Sequence, residues 1–584
     1  SSHFGSSHRS ESCGSHRSIA VPAVSPDGRL LRPQMMRSAR AVMLLAMAVY
    51  LNRILSFRRP NFFAFGKLPP RIQDRPSLLS SFGSLTLLPR RPPAWPRHSR
   101  NLRRPARALP ARACPPQRTQ EPVVQFLHEA DPERWARVQG SLRAFADQCE
   151  SGRVVSAGDL ARGVRNLREV SGRHAAKLDA LRRAASLSQE RGIGELPVLV
   201  RRLALAARLA AQLPELFGRG VRMLVRGQTA QVFLTRRQCW ALLAAALFGA
   251  LPEDWVQGEA GGSGGRALDL PSFDFSSLLE KEEEKVLCLL SYFSQVATAG
   301  EAELEEVVSF GRRAEDPLGE DFWSGLDKPL AAARVCDDGT LIEVSRGNLQ
   351  ADFANKYLGG AVLSHGAVQE EIRFMICPEC LISMLFCEVM LPNEAVFIVG
   401  TRQYSRYGGY GHSFHFDGPH LPDPDAPADE RGRRGPHIVA FDALDLPHTR
   451  QYEPECILRE LLKAYVACLG DPSEDAGDRQ VGFATGNWGC GVFGGDPQLK
   501  ALIQWLAASA AGRELVYHPF GDRRVAKLAE VIEAVRSSGL RCRDLFAVLQ
   551  GHAPGEVFAG VLEQVRSTTP SGEGPSPSGR DPSQ

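Results

Sequence analysis

The stretch VGFATGNWGCGVFGGDPQLKALIQWLAASAAGRELVY, residues 481–517, contains one complete strand–loop–helix–strand pattern. Val481–Ala484 is strand-like, and a glycine-rich loop follows it. Asp496-Pro497 then opens a helix, because a proline in the first turn needs no hydrogen-bond partner for its nitrogen. The inward face of that helix is Leu499, Leu502, Ile503 and Leu506. Since Gly512 stops the helix and Leu515–Tyr517 is again strand-like, the stretch predicts a β-loop-α-β crossover.

The rest of the second half of the chain also combines strand-like and helical segments. After residue 280, short β-rich segments alternate with helical ones, at Ala395–Val399, His437–Phe441 and Gln480–Ala484. Such alternation is typical of α/β organisation. We therefore predict an α/β domain over residues 281–566.

The preceding part of the chain has a helical pattern. Apolar side chains recur there at i, i+3, i+7 and i+10, a spacing that lines one face of a helix. They are Trp135, Val138, Leu142 and Phe145. Val198–Phe217 repeats the pattern, and the helical region runs to about Phe248, before the flexible glycine-rich stretch Gly258–Gly265. We predict an all-α accessory domain over residues 121–280.

Both ends of the chain have the composition of disordered segments. Residues 1–120 are rich in Ser, Arg and Pro and lack sustained apolar periodicity, and residues 567–584 are dense in Ser, Pro and Gly. Between Asp27 and Glu121 the only acidic residue is Asp74, so the basic excess is N-terminal. We predict disorder in both segments.

Cysteine content and hydropathy bear on where the protein works. The 13 cysteines are odd in number and irregularly spaced, which favours free thiols in a reducing compartment over a disulfide scaffold. The apolar run Ala41–Leu51 has about half of the residues that a membrane-spanning helix needs, so we expect no membrane attachment. We expect a nuclear and cytoplasmic protein. A mitochondrial location is the alternative, because the Arg-rich, acid-poor segment after Met35 resembles a transit peptide.

Two glycine-containing loops precede helices in the α/β half. One is Gly359-Gly360-Ala361, and the other is residues 485–491, TGNWGCG. Backbone N–H groups in such loops can approach an anion closely, and the N-terminus of the following helix adds favourable partial charge. Both loops therefore suit phosphate. Taken alone, each is more simply explained as a tight turn.

An acidic cluster, Gln369-Glu370-Glu371, begins the helix after the first loop, with Asp352 and Asn355 just upstream. Adjacent helix residues diverge by about 100 degrees, so the two glutamates cannot play the same part. One can protonate a leaving-group oxygen while the other holds sugar hydroxyls, and their mutual repulsion helps to keep one protonated near neutral pH. The alternative is a solvated helix face, stabilised by negative charge at its N-terminal end.

Several motifs, in order along the chain, carry a resemblance to a known family. The first are Asp352-Phe353-Ala354-Asn355, Gly359-Gly360 and QEEIRF at residues 369–374. YSRYGGY at 404–410, TGNWGCGVFGGD at 485–496 and Phe520-Gly521-Asp522 follow. Together they closely resemble the poly(ADP-ribose) glycohydrolase family, over roughly residues 121–555. The resemblance implies a macrodomain-like α/β fold, with a mixed sheet flanked by helices and an all-α accessory domain before it. It also implies hydrolysis of the ribose-to-ribose O-glycosidic bonds of poly(ADP-ribose), with release of ADP-ribose.

The resemblance also implies roles for the matching residues. Glu371 would protonate the departing ribose oxygen as general acid and then activate water as base, and Glu370 would grip ribose hydroxyls. Asp352 would be a third acidic residue of the site. The implied substrate contacts are Leu341 and Ile342 at adenine, Asn355 and Gln369 at the scissile ribose, Gly359 and Gly360 at the diphosphate, Tyr410, Asn487, Trp488, Gly489, Cys490, Gly491, Val492 and Phe493 around the diphosphate and terminal ribose, and Phe520 stacked on adenine.

The implied chemistry sets expectations for cofactors and partners. We expect no metal and no organic cofactor, because an oxocarbenium-like transition state needs a positioned acid and the diphosphate needs backbone donors. The partner would be poly(ADP-ribose) on modified proteins, which suggests a role in the DNA damage response. We expect no sequence-specific binding of nucleic acid, and a monomer.

Two departures from the family pattern matter. The third glycine of the family's loop is Ala361 here; if that position requires positive φ, alanine costs about 1–2 kcal/mol, and its Cβ could crowd the diphosphate. Ile342 stands where the family has an acidic residue against adenine, and Glu343 follows it. The first departure leaves open a catalytically weak ADP-ribose-binding reader. A nucleotide-sugar or phosphate-ester hydrolase on the same scaffold is a third possibility.

Some cysteines and histidines could be mistaken for metal ligands. They are Cys377, Cys380 and Cys387, and His412, His415 and His420. The cysteines lack a second paired motif and lie among apolar residues, so we expect buried free thiols. For the histidines we expect a polar surface loop.

Overall fold

The structure, a computed structural model, describes residues 122–568, except 174–176, 219, 252–255, 258–266, 337–338, 422–427, 430, 446–449, 474–480 and 552–555. All of the described residues belong to one compact unit. The predictions of disorder for residues 1–120 and of a flexible Gly258–Gly265 fall outside the described residues, as does the tail beyond Thr568. Ser567 and Thr568 continue the last helix.

Helices dominate the first part of the described chain and alternate with strands in the second. In order they are α1 Leu127–Ala130, α2 Pro132–Glu150, α3 Ala157–Val170, α4 Asp179–Ser186, α5 Leu196–Ala210, α6 Leu213–Leu216, α7 Arg236–Phe248, α8 Ser276–Lys281, α9 Glu283–Val296, α10 Glu301–Leu304, α11 Glu320–Ser324, α12 Gln369–Ile376, α13 Pro454–Cys468, α14 Pro497–Ala511, α15 Leu528–Ser538, α16 Cys542–Leu549 and α17 Val557–Thr568. Short 3₁₀ helices lie at Ile342–Val344, Pro378–Leu385, Gly411–Ser413, Arg450–Tyr452 and Arg523–Val525.

The strands are short. In order they are β1 Val123–Val124, β2 Val221–Arg222, β3 Ala230–Thr235, β4 Val256–Gln257, β5 Val307–Ala314, β6 Ala333–Val335, β7 Leu349–Asp352, β8 Glu394–Val399, β9 Ser405–Gly408, β10 His415–Pro419, β11 His437–Ala440, β12 Phe483–Gly486 and β13 Leu515–His518.

A sheet of eight strands runs through the described part of the chain, in the order β3-β5-β8-β11-β7-β12-β13-β6. Neighbours from β3 to β11 are antiparallel. Neighbours from β11 to β6 are parallel. The mixed sheet predicted from the sequence is therefore confirmed. β9 and β10 form a separate hairpin, and β1, β2 and β4 form a small third sheet.

Helices cover both faces of the large sheet, because successive side chains of a strand point to opposite sides. On β8, Val396 and Ile398 join a core shared with α2, α7, α9 and α12. Ala395 and Phe397 join the opposite core, shared with α13 and α14. One face of the sheet thus packs against the helical region and the helix that carries the paired glutamates.

The stretch quoted first folds as predicted. β12 and β13 pair in parallel, and α14 connects them. Asp496 caps α14 by accepting a hydrogen bond from the Gln498 N–H at 2.8 Å, and Gly512 ends the helix in the left-handed conformation. The first strand begins at Phe483, two residues later than the sequence pattern indicates.

The helical region before residue 250 is confirmed, but it also contributes a strand to the large sheet. β3 pairs with β5 in antiparallel register from Ala230 opposite Arg312 to Thr235 opposite Val307. The boundary between the accessory and α/β domains at residue 280 stays a prediction. Among the helices of the described residues, none has the length and apolar character needed to cross a bilayer.

Candidate active site

Gln369 fixes the end of β7 to the start of α12. Its Nε2 donates to the Ala351 carbonyl at 3.1 Å, and its Oε1 accepts from the Phe353 N–H at 2.7 Å. Both ends of the side-chain amide thus bind the backbone on either side of Asp352. Gln369 positions Asp352, and the ribose contact implied for it stays a prediction.

Glu370 is buried, and the loop before its own helix holds its carboxylate. Oε2 accepts from the Asn355 N–H at 2.8 Å, and Oε1 accepts from the Gly359 N–H at 2.7 Å. Burial raises the pKa of Glu370 well above its usual range, nearby Asp352 and Glu371 raise it further, and the two N–H groups oppose the rise. This carboxyl therefore keeps a proton more readily than an exposed glutamate does.

Glu371 binds the same loop at its far end. Its Oε1 accepts from the Ala361 N–H at 3.1 Å, and its Oε2 accepts from the Val368 N–H at 3.0 Å. The second bond caps the helix, since Val368 immediately precedes α12. Together with the bonds to Glu370, backbone donors fix all four oxygens of the two neighbouring carboxylates.

Gly360 covers the two carboxylates with backbone alone. A Cβ at this position would lie 2.7 Å from Oε1 of Glu371 and 2.9 Å from Oε2 of Glu370, closer than real Cβ contacts. The φ of Gly360 is +50°, a conformation that disfavours any side chain. Gly360 is exposed and has no side chain, so at this position only backbone atoms lie over the two carboxylates.

Asp352 completes a group of three acids. It is fully buried, and neither of its carboxylate oxygens has a hydrogen-bond partner within the described part of the chain. Burial raises the pKa of Asp352 to about 8 against the opposing charge of Arg373, and Glu371 and Glu343 add to the rise. The structure therefore brings Asp352 together with the paired glutamates.

The second glycine loop, residues 487–495, presents backbone donors. Two hydrogen bonds between its glycines, at 2.9 and 3.1 Å, fold the loop back on itself. Within the described residues, no hydrogen bond uses the N–H groups of Gly491, Val492 and Phe493. The Val492 side chain is exposed. These N–H groups lie just before the N-terminus of α14, an arrangement that favours an anion such as phosphate.

Trp488 and Cys490 support this loop with their side chains. The Trp488 ring is buried, its Nε1 donates to the Phe441 carbonyl at 3.0 Å, and Lys500 Nζ lies 4.3 Å from the ring centroid. The Cys490 thiol donates to the Trp488 carbonyl at 3.3 Å, and burial raises its pKa to about 12. Both side chains serve the fold, and the substrate contacts implied for Trp488 and Cys490 stay predictions.

Asn487 ties the second loop to the turn that carries Phe520. Its Oδ1 accepts from the Tyr517 hydroxyl at 2.7 Å, and its Nδ2 donates to the Pro519 carbonyl at 2.8 Å. Phe520 has a φ of +51° and a ring that is exposed although aromatic. The exposed Tyr410 ring lies 5.9 Å from it, centroid to centroid. A strained, exposed aromatic beside a second one is typical of a binding surface.

Comparison with known proteins agrees with this geometry. The family model described as "Poly (ADP-ribose) glycohydrolase (PARG), Macro domain fold" matches residues 320–527. The companion model for the helical domain of the same family matches residues 201–312. "Poly(ADP-ribose) glycohydrolase 1" of Arabidopsis thaliana is 34% identical over 400 residues, which are 56% of this chain and 71% of the relative. The chain belongs to the poly(ADP-ribose) glycohydrolase family.

Other members of the family match in the same way. "Probable poly(ADP-ribose) glycohydrolase 2" of Arabidopsis thaliana is 32% identical over 375 residues, covering 56% of this chain and 70% of the relative. "Poly(ADP-ribose) glycohydrolase 1" of Caenorhabditis elegans is 31% identical over 368 residues, covering 60% of this chain and 44% of the relative.

Ala361, the departure from the glycohydrolase family's three-glycine loop, is not strained. Phe520 is the only non-glycine residue of the described chain with positive φ, so the condition for strain at Ala361 is not met. The Ala361 methyl group points towards Gly366, where an added Cβ would lie 2.7 Å from it. The backbone argument for a weakened glycohydrolase was therefore wrong.

The segment predicted to contact adenine, around Ile342, is largely buried or turned inward. Ile342 is buried in the core, which leaves its side chain little access to a ligand. Glu343 turns inward, with its Oε1 3.8 Å from Nη2 of Arg373. Leu341 is half-buried, whereas Val344 is exposed. Adenine contacts by Leu341 and Ile342 stay predictions.

Two residues at the site were missed by sequence reasoning. A Cβ on Gly366 would lie 2.8 Å from Oε1 of Glu371, so a side chain there would also press on this carboxylate. Its position in the loop before α12 could have indicated this. Lys285 Nζ donates to the Val362 carbonyl at 2.9 Å. No local pattern relates this lysine to a loop so much later in the chain.

The discounted cysteines lie where the sequence indicated, but the surface loop expected for the histidines was wrong in part, because His415 begins the paired strand β10 and His420 is half-buried. Cys377, Cys380 and Cys387 are buried free thiols, and burial raises the pKa of Cys377 and of Cys387 to about 12. His412 and His415 are exposed. In the part of the chain that the structure describes, no group of three or more His, Cys, Asp or Glu side chains could hold a metal ion.

Proposed function

We propose that this protein hydrolyses the ribose-to-ribose O-glycosidic bonds of poly(ADP-ribose) on modified proteins and releases ADP-ribose. The observation that carries the proposal is the pair of buried carboxylates, Glu370 and Glu371, whose oxygens are fixed by backbone N–H groups beneath the exposed Gly360. Glycoside hydrolysis needs carboxyl groups held in one geometry throughout the reaction. Membership of the glycohydrolase family supports the same activity.

Glu371 is proposed as the general acid and base. It protonates the departing ribose oxygen as the bond to the anomeric carbon breaks. Water then bonds to that carbon and returns a proton to Glu371. Each Glu371 oxygen accepts one backbone N–H in the free protein, and a carboxyl oxygen has a further lone-pair site for the substrate.

Glu370 and Asp352 are proposed to prepare the site rather than to transfer the proton. Each Glu370 oxygen accepts one backbone N–H and has a further lone pair, through which it would accept a hydrogen bond from a ribose hydroxyl. The pKa values of Glu370 and of Asp352 are raised by burial, so at neutral pH this pair carries less than its full negative charge. Reduced negative charge lowers the repulsion of an anionic polymer.

The rest of the substrate is proposed to bind along the second loop. The N–H groups of Gly491, Val492 and Phe493 would bind the diphosphate, which needs directed donors and no metal ion. Phe520 would stack on adenine and Tyr410 would close over the adjoining ribose. The described geometry of the two exposed rings, 5.9 Å apart, supports this placement.

The test is release of ADP-ribose from purified poly(ADP-ribose), with a chelator present. Glu371→Gln keeps the size of the side chain and removes its acid, so turnover should fall by about 100- to 10,000-fold. Glu530→Gln, on an exposed face of α15, is the matched control and should behave as wild type. ADP-ribose binding, measured by calorimetry, should persist in both variants.

The outcomes separate the parts of the proposal. Wild-type turnover that survives in Glu371→Gln would remove Glu371 from the role of acid. Binding of ADP-ribose by the wild type without any release would leave a reader in place of an enzyme.

A further inference from the structure

Lys285 is a buried cation. It contacts the loop that connects Gly359-Gly360 to the paired glutamates. It lies in the first turn of α9 and is 2% exposed. Its Nζ donates to the Val362 carbonyl at 2.9 Å and also to the Ser364 carbonyl. Because Lys285 is buried and its ammonium group binds backbone carbonyls, we expect it not to contact the substrate.

The loop is therefore held on two sides by opposite charges. The N–H groups of Gly359 and Ala361 point to the carboxylates of Glu370 and Glu371. The carbonyls a few residues later point to Lys285. Buried N–H and C=O groups outside regular secondary structure need partners, and charged partners make stronger hydrogen bonds than neutral ones.

The charge on Lys285 is balanced by groups on several elements. Burial lowers the pKa of Lys285 to about 8, while Glu282 before its helix, Glu371 on α12 and Cys288 on α9 oppose the fall. At neutral pH the side chain is mostly protonated, so it donates as an ammonium. Glu371 thus has a buried positive charge in its surroundings, contributed by α9.

We propose that Lys285 is a positioning residue for Glu371, acting through the Gly359–Ser364 loop whose carbonyls it binds. The inference rests on the proposed glycohydrolase activity. Lys285 lies in the segment matched by the helical-domain model of the family, residues 201–312. A residue of the segment that this model matches therefore contacts the loop of the proposed active site.

Three variants test the role. Lys285→Met keeps the apolar stem and removes the donors, Lys285→Arg keeps the charge and the donors, and Lys281→Met removes an exposed lysine one turn earlier. For Lys285→Met we expect kcat to fall by about 10- to 100-fold, because a displaced carboxyl acts poorly in proton transfer. KM should change little, since the substrate does not contact Lys285. Lys285→Arg should recover much of the loss, and Lys281→Met should match wild type.

Hydrogen exchange provides a readout that does not depend on turnover. In Lys285→Met, the N–H groups of Gly359 and Ala361 should exchange faster, while those of α14 keep wild-type protection. If Lys285→Met does not fold, Lys285→Gln, whose shorter amide cannot reach both carbonyls, takes its place with the same expectations.

The results decide between the two proposals. A folded Lys285→Met with wild-type kcat and wild-type loop protection would overturn the role of Lys285. A wild type that releases no ADP-ribose would overturn the proposed function, and loop exchange alone would then decide on Lys285.

Discussion

Gly360→Ala would place a methyl carbon 2.7 Å from Oε1 of Glu371 and 2.9 Å from Oε2 of Glu370. Ordinary van der Waals contact begins at 3.4 Å, so the carboxyl groups would have to recede by about 0.5–0.7 Å. Each oxygen is also held by a backbone N–H group, so such a shift stretches the hydrogen bonds that fix the site.

The expected loss of activity follows from that displacement. Misplacing a catalytic group by roughly 1 Å can cost about 100-fold, so we expect kcat of Gly360→Ala to fall by about 10- to 100-fold. The left-handed backbone at this position adds about 1–2 kcal/mol to the cost in folding free energy. The folding cost alone leaves most of the protein folded, so a loss of kcat in the folded variant reports the displaced carboxyl groups.

Gly539→Ala is the matched control. Gly539 has a φ of +75° at the end of α15, and an added Cβ there meets no atom within 4 Å. It should lose only the cost of the left-handed backbone, about 1–2 kcal/mol of folding free energy, and keep full activity. The assays are kcat for ADP-ribose release and the free energy of unfolding from urea titration. A folded Gly360→Ala with wild-type kcat would refute the reasoning, as would an equal loss of kcat in Gly539→Ala.

Three further predictions use other parts of the site. Phe520→Gly relieves a positive φ but removes the stacking ring, so ADP-ribose affinity measured by calorimetry should weaken by about 1–3 kcal/mol with little change in stability; unchanged affinity would exclude Phe520 from the adenine site. Asp352 has a pKa raised to about 8 in the folded protein, against about 4 when unfolded, so its contribution to stability falls as pH rises through that window. Asp352→Asn should therefore unfold at higher urea concentration than wild type at pH 8 but with a smaller advantage at pH 5, and a pH-independent difference would contradict the shift. Ala361→Gly should leave kcat within about threefold of wild type, because Ala361 has ordinary backbone geometry. A much larger gain in rate would restore the reader hypothesis.

The sequence determined those parts of the fold that depend on local chemistry. The crossover at residues 481–517 could be read because Pro497 and Gly512 mark the two ends of one helix within a few residues of the strands. The start of β12 could not be predicted from local sequence, because it is set by the pairing of Phe483 with Leu349 of β7. That partner lies far away along the chain.

Non-local contacts account for most of what could not be predicted. β3 is short and lies among helices, and it becomes a strand by pairing with β5, many residues later. The motif residues at the second loop were found, but the pattern could not show that the Trp488 and Asn487 side chains bind the fold while Val492 stays exposed. Lys285 has no sequence signal because its partners are carbonyls, which every residue carries.

The pairing of β3 with β5 has a consequence for any shortened form of this protein. A fragment that begins after residue 280 would keep β5 and lack β3, and one edge of the sheet would then expose unpaired N–H and C=O groups. Bare edges recruit strands from other molecules, so such a fragment would be prone to aggregate through β5. During synthesis β3 leaves the ribosome before β5, so the strand that protects the edge of β5 is already present when β5 forms.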